Sequence, residues 1–150
     1  VPFGGYVADY VPFYFAARSP MLYRQHARNI IKNVDIIYLV SSVETIISFE
    51  LEWCSSNMNA ACNAADFYNT IENMKINVRW DYMNAVCWKN TDEHPNRKEY
   101  RMAEFLVREK VPWEAIPYLA VFNDAASERV KKILPEGSKQ RIFVQQDMYF

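Results

Sequence analysis

The sequence predicts an α+β chain, with one or two mixed sheets and short helices between the strands. Three observations carry this. Apolar, β-branched runs of strand length recur along the chain. Stretches with apolar spacing near 3.6 lie between them. No repeat, linker or low-complexity tract divides the 150 residues. Hydrophobic residues make up 51% and aromatics 15%, which supplies one core, predicts a single domain over 1–150 and argues against disorder.

Taken in order, "YVPFYF" (10–15) is aromatic and β-branched and reads as a strand, with Pro12 tolerated near its start or at a sheet edge. Residues 17–29 open on the turn signal Ser19-Pro20 and continue as a short helix or irregular segment. "DIIYLVSS" (35–42) is a strand, "VETIISF" a short helix or turn, and "ELEWCSS" (50–56) another short strand. Met58, Ala61, Cys62, Ala65, Tyr68, Ile71 and Met74 recur at helical spacing and predict the longest helix, capped by Ser55 or Ser56. A short amphipathic helix follows at 80–88. Residues 89–100 are polar, contain Pro95 and read as a loop. Arg101 to Val107 is a strand, "PWEAI" one helical turn, "YLAVFN" (118–123) a strand, "SERVKKIL" (127–134) a helix stopped by Pro135 and Gly137, and "RIFVQQ" (141–146) the last strand.

Composition narrows the function. The formal net charge is −1, so no global basic field draws nucleic acid, and any such binding has to be local. Cys54, Cys62 and Cys87 form no CxxC, which suits a reduced, cytosolic protein better than a disulfide scaffold. With His26 and His94 they make no zinc spacing. No apolar run approaches the roughly 20 residues that span a bilayer, and no signal peptide is visible. The opening "VPFGGYVADY" lacks Met and looks like a turn leading into a strand, so residues are expected before Val1.

Four local features could carry chemistry. Glu104 stands between Met102 and Leu106 in a strand whose two faces are both largely apolar. A desolvated carboxylate there has a raised pKa and is a better base, unless an Arg or a backbone N–H simply satisfies it. Just upstream, Arg97, Lys98 and Arg101 interleave with Tyr100, the pattern that single-stranded nucleic acid uses, with phosphates on the cations and a base on the ring; an ordinary solvated loop looks the same. Arg18, Arg24, Arg28 and Lys32 form an acid-free patch able to hold a diphosphate or a nucleic-acid backbone, or merely a solvated helix face. Asn57 and Asn59, at the expected start of the long helix, suit an anion such as a pyrophosphate, which makes Asn59 a cofactor-binding candidate, or plain capping. Two site classes fit: NAD-dependent transfer onto a nucleic acid, or metal-free nucleic-acid cleavage.

Longer motifs narrow this choice. "DYVPFYFAARSPMLY" (9–23), "YLVSS" (38–42), "RKEYRMAEFLV" (97–107) followed by "VPW" (111–113), and the closing "MYF" resemble the DarT family, DNA ADP-ribosyltransferase toxins of the DarT–DarG toxin–antitoxin systems. The resemblance implies an ADP-ribosyltransferase-like fold, with mixed and antiparallel sheets around an NAD cleft. It implies that Glu104 is catalytic and that Tyr14, Arg18 and Met21 lie by the cofactor. It assigns the loop from about Asn90 to Arg101 to the target, with Arg97, Lys98, Tyr100 and Arg101 as DNA-binding candidates. NAD+ is then a substrate, no metal is required, and the product is ADP-ribose on a base of single-stranded DNA, commonly thymine. A macrodomain antitoxin of the DarG type is the expected partner, in the bacterial cytoplasm.

Two departures stand out. Family members carry, before the "GG", a segment with a His for NAD and an Arg important for catalysis, whereas this chain opens at the "GG". A chain truly starting there is expected to be inactive alone and only to bind nucleic acid or a partner; a longer protein is expected to be competent. Many relatives also have His where Asn59 stands. Asn cannot titrate near neutrality, so guanine competes with thymine as the target base. A transferase acting on RNA or protein is the rival within the same enzyme class.

Overall fold

The computed structural model describes all 150 residues. Its strands and α-helices are, in chain order, β1 (Tyr10–Tyr14), α1 (Pro20–Ala27), β2 (Ile37–Val40), α2 (Val43–Ser48), β3 (Trp53–Ser56), β4 (Phe67–Tyr68), α3 (Ile71–Asn77), α4 (Trp80–Met83), α5 (Arg97–Tyr100), β5 (Glu104–Arg108), β6 (Tyr118–Val121), α6 (Asp124–Ile133) and β7 (Arg141–Val144). Single 3-10 turns fill several connections, among them Trp113–Ala115, where "PWEAI" predicts one turn. The α+β class holds. The chain forms two compact units, one from Val1–Pro20 with Leu51–Val111, the other from Met21–Glu50 with Pro112–Phe150.

The first unit carries a four-stranded antiparallel sheet in the order β1-β5-β3-β4. Pro12 lies on β1, an edge strand, where its missing N–H costs no ladder bond. β5 is central, and Glu104 to Val107 are all buried, as expected for a strand covered on both faces. Leu106, Cys54, Tyr10 and Ala60 pack as one cluster. Phe105 stacks on Trp53 with ring centroids 4.8 Å apart, a contact that adds about 1 kcal/mol beyond the area buried.

The second unit carries a three-stranded sheet, β2-β6-β7, with β6 and β7 parallel and joined through α6. The Asn123 side chain caps α6 by accepting the Ala126 N–H at 2.9 Å. Tyr149, 1% exposed, fastens the chain end: its hydroxyl lies 2.9 Å from the Ala120 carbonyl and 3.1 Å from that of Ile36. No helix is long and apolar enough to cross a membrane.

Three expectations about the elements need correction. Residues 58–74 are not one helix. Asn57 and Asp66 pair reciprocally: the Asn57 amide donates to the Asp66 carboxylate at 3.1 Å, while the Asp66 N–H donates to the Asn57 side chain at 3.0 Å. Asn59 accepts the Ala61 N–H at 3.1 Å. These short polar side chains offer the backbone a local alternative to the helix, and the closed loop delivers Phe67–Tyr68 to β3 as a strand. Helix starts only at Ile71, with Thr70 as its cap. The strand expected from Arg101 begins at Glu104, because the N–H groups of Arg101, Met102 and Ala103 instead bond back into the turns that end α5. That helix also lies inside the stretch expected to be a loop.

Candidate active site

The site is built on the end of β5. Tyr14 is the register partner of Glu104 across the β1–β5 ladder, so the two side chains project from opposed positions on one face. Glu104 is 7% exposed. Its Oε2 accepts the Ala60 N–H at 2.9 Å, and the Tyr14 hydroxyl also donates to the carboxylate. Burial pushes the Glu104 carboxyl above the usual glutamate value, and these two donors oppose the rise. Burial and the neighbouring carboxylate push the Tyr14 phenol up to about 12, so the hydroxyl keeps its proton and remains a donor. No basic side chain pairs with Glu104, so the carboxylate is not locked into a core ion pair.

The donor from Ala60 comes from the loop between Asn57 and Asp66. The Ser56 hydroxyl sets its start: it accepts the Glu104 N–H at 3.1 Å and donates to the Met58 carbonyl at 2.6 Å. Where β3 stops pairing with β5 through its backbone, this side chain continues the connection. Asn59 is thus not at a helix start. It supports the turn whose next residue holds the carboxylate. The importance of Ser56 and of the Ala60 amide was not visible in the residue types, because a backbone donor leaves no signature in sequence.

Arg18 follows β1 in a turn, exposed and left-handed, with φ 55°. Such a backbone is uncommon for a residue with a side chain and is often retained at functional positions. Met21 lies on α1, in the chain of the second unit, with half of its surface exposed. Lys98 is exposed, and Arg97 and Tyr100 are half-buried on α5. Arg97 donates to the Cys87 carbonyl at 3.2 Å and lies 5.4 Å over the Tyr82 ring, whose hydroxyl bonds His94 Nδ1 at 2.9 Å. Arg79 stacks on the same ring at 4.2 Å. Tyr82 and His94 therefore anchor the segment leading into β5, a role that sequence reading missed.

Arg101 does not fit the expectation of a DNA-binding cation. It is 6% exposed, and its guanidinium donates to main-chain carbonyls at Tyr82, Met83, Ala85 and Ala17. A phosphate cannot reach a charge so enclosed.

Comparison with known proteins gives the family. The family model described as ssDNA thymidine ADP-ribosyltransferase, DarT, matches residues 1–150. A DNA ADP-ribosyl transferase of Mycobacterium tuberculosis is 35% identical over 147 residues, covering 95% of this chain and 64% of that protein; the chain thus spans just under two thirds of that relative's length. The solved structure of Thermus sp. 2.9 DarT in complex with NAD+ superposes with a TM-score of 0.89 at 31% identity, covering 100% of this chain and 77% of the other. The same protein in complex with ADP-ribosylated ssDNA gives a TM-score of 0.91 at 31% identity, covering 100% and 73%. With its whole length matched and its fold shared with solved members, the chain belongs to the DarT family.

Proposed function

We propose that this chain is the catalytic part of a toxin that transfers ADP-ribose from NAD+ to a base of single-stranded DNA. The observation that carries the proposal is the buried Glu104 carboxylate, held by an N–H and a phenol and unpaired by any cation, in a chain matched end to end by the family model. Support also comes from the Thermus DarT structures with NAD+ and with ADP-ribosylated ssDNA.

In this reading, nicotinamide leaves with the electron pair of its glycosidic bond and the ribose becomes oxocarbenium-like. Glu104 faces that developing charge and stabilises it. A ring nitrogen of the target base attacks the sugar carbon, and its proton passes to Glu104. A dry, partly apolar wall strengthens both effects. Tyr14 and the Ala60 N–H hold the carboxylate in one rotamer. Arg18 takes the diphosphate, Met21 lies by the cofactor, and Asn59 sets the turn beside the target. Lys98, Arg97 and Tyr100 receive the strand. Thymine is the favoured base, in keeping with the family description, and a macrodomain antitoxin reverses the mark.

The test is incubation of the full-length protein with NAD+ and single-stranded oligonucleotides differing in one base, read by mass spectrometry. ADP-ribose on thymine-containing strands is expected. Adducts on guanine alone overturn the base assignment; adducts on RNA or protein with DNA untouched select the rival substrate class; no adduct on any strand sinks the proposal.

Tyr14→Phe gives a second expected result. Loss of the hydroxyl removes a group that favours the ionised carboxylate, so the Glu104 pKa rises further. The acid limb of the pH–rate profile moves to higher pH, and activity falls more in mild acid than in mild base. A profile that drops uniformly contradicts this role.

A further inference from the structure

The guanidinium that is unavailable to DNA has another use. Arg101 Nη1 donates to the Tyr82 carbonyl at 2.6 Å, to that of Met83, and to that of Ala85 at 3.3 Å. These oxygens lie at and just beyond the C-terminal end of α4, where helix carbonyls lack intrahelical partners. Nη2 points the other way and donates to the Ala17 carbonyl at 2.9 Å. The charge is buried and faces no carboxylate within ion-pairing distance; carbonyl dipoles alone stabilise it.

Ala17 immediately precedes Arg18. Pinning the Ala17 carbonyl fixes the peptide plane between these residues, and that plane is one side of the left-handed turn at Arg18. A charge-assisted bond from a rigid planar fork suits this task, because it sets direction as well as distance. Three residues beyond Arg101, the chain becomes the buried strand that begins at Glu104. One side chain therefore ties together the end of α4, the approach to β5 and the turn that presents Arg18.

We infer that Arg101 is a positioning residue: by pinning the Ala17–Arg18 peptide, it aims Arg18 at the diphosphate of NAD+. The inference rests on the proposed role of Arg18 as an NAD+ ligand. It assigns Arg101 to the cofactor side of the reaction and away from the DNA.

The experiment is a double-mutant cycle on the protein, using R101K, R101Q, R18A and both Arg101 substitutions combined with R18A. NAD+ dissociation constants are measured by calorimetry, kcat on a single-stranded oligonucleotide at saturating NAD+, and folding by thermal melts. Lys keeps the charge but lacks the fork, and Gln keeps one NH2 donor on a shorter stem without charge. Each Arg101 substitution is expected to weaken NAD+ binding about tenfold, with a smaller change in kcat and in the KM for DNA. On top of R18A it should add less than about twofold, because the group it aims is already gone. Additive losses, unchanged NAD+ affinity, or failure of both variants to fold overturn the positioning role. If R18A binds NAD+ as tightly as the unmodified protein, the assignment of Arg18 fails and takes this inference with it. If R18A weakens binding but the cycle is additive, only the inference about Arg101 fails.

Discussion

Glu104→Gln is expected to abolish ADP-ribose transfer while making the protein harder to melt. The activity loss follows from the two tasks the carboxylate performs. Gln has the same shape and its carbonyl can still accept the Ala60 N–H, but it carries no charge to stabilise the ribosyl cation and cannot take a proton. Each task typically contributes about 10²-fold or more, so kcat should fall by at least that factor, measured by mass spectrometry of modified oligonucleotide. The stability gain follows from burial. The Glu104 carboxyl lies above the usual glutamate value in the folded chain, so over the window between those two values the folded state binds more protons than the unfolded one. Stability therefore declines as pH rises through that window. A neutral amide escapes the decline. The melting temperature of E104Q should exceed that of the unmodified protein near neutrality, and the two should converge in acid. A variant that is inactive and less stable at every pH would show that Glu104 supports the fold, not the chemistry.

Tyr149→Ala is expected to have the largest effect on folding. The ring meets Tyr38 and Phe122 edge-on at 5.0 and 5.4 Å, and its hydroxyl bonds the backbone of both β6 and the residue before β2. Removing a buried aromatic of this kind costs about 3–5 kcal/mol, a large share of the about 5–15 kcal/mol that holds a domain together. Denaturant unfolding should show the loss. Tyr149→Phe keeps the ring and forfeits the hydroxyl, leaving carbonyl acceptors less well satisfied, for about 1–2 kcal/mol. Equal losses in the two variants would mean that the hydroxyl, and not ring packing, carries the effect.

The strands around Tyr14, Tyr38, Leu106, Leu119 and Phe143 were legible in the sequence because β-branched and aromatic runs bounded by turn residues have few other solutions. The helix at 124–133 was legible to within a few residues from its apolar spacing and the proline beyond it. Residues 58–66 were not. Their alanines keep a helical period, and nothing in that period reveals that Asn57 and Asp66 close on each other. Glu104 announced itself as a carboxylate in an apolar strand. Arg101 misled, because a basic residue beside an aromatic in a polar stretch looks like a nucleic-acid contact until burial is known. In each failure, the deciding contact is one that residue type and spacing do not reveal.

The mutual clasp of Asn57 and Asp66 has one more implication. It closes one loop around both the Ala60 amide that grips the carboxylate and the outer arc at Ala61–Ala64, which is exposed throughout. The arc is tied to that amide by the Asn59 side chain, which accepts the Ala61 N–H, and by the Cys62 N–H, which donates to the Asn59 carbonyl, so a change in the arc is passed on to the grip on Glu104. That coupling offers a practical handle: a reporter dye on the exposed Cys62 would sit within a short reach of the carboxylate and register changes there.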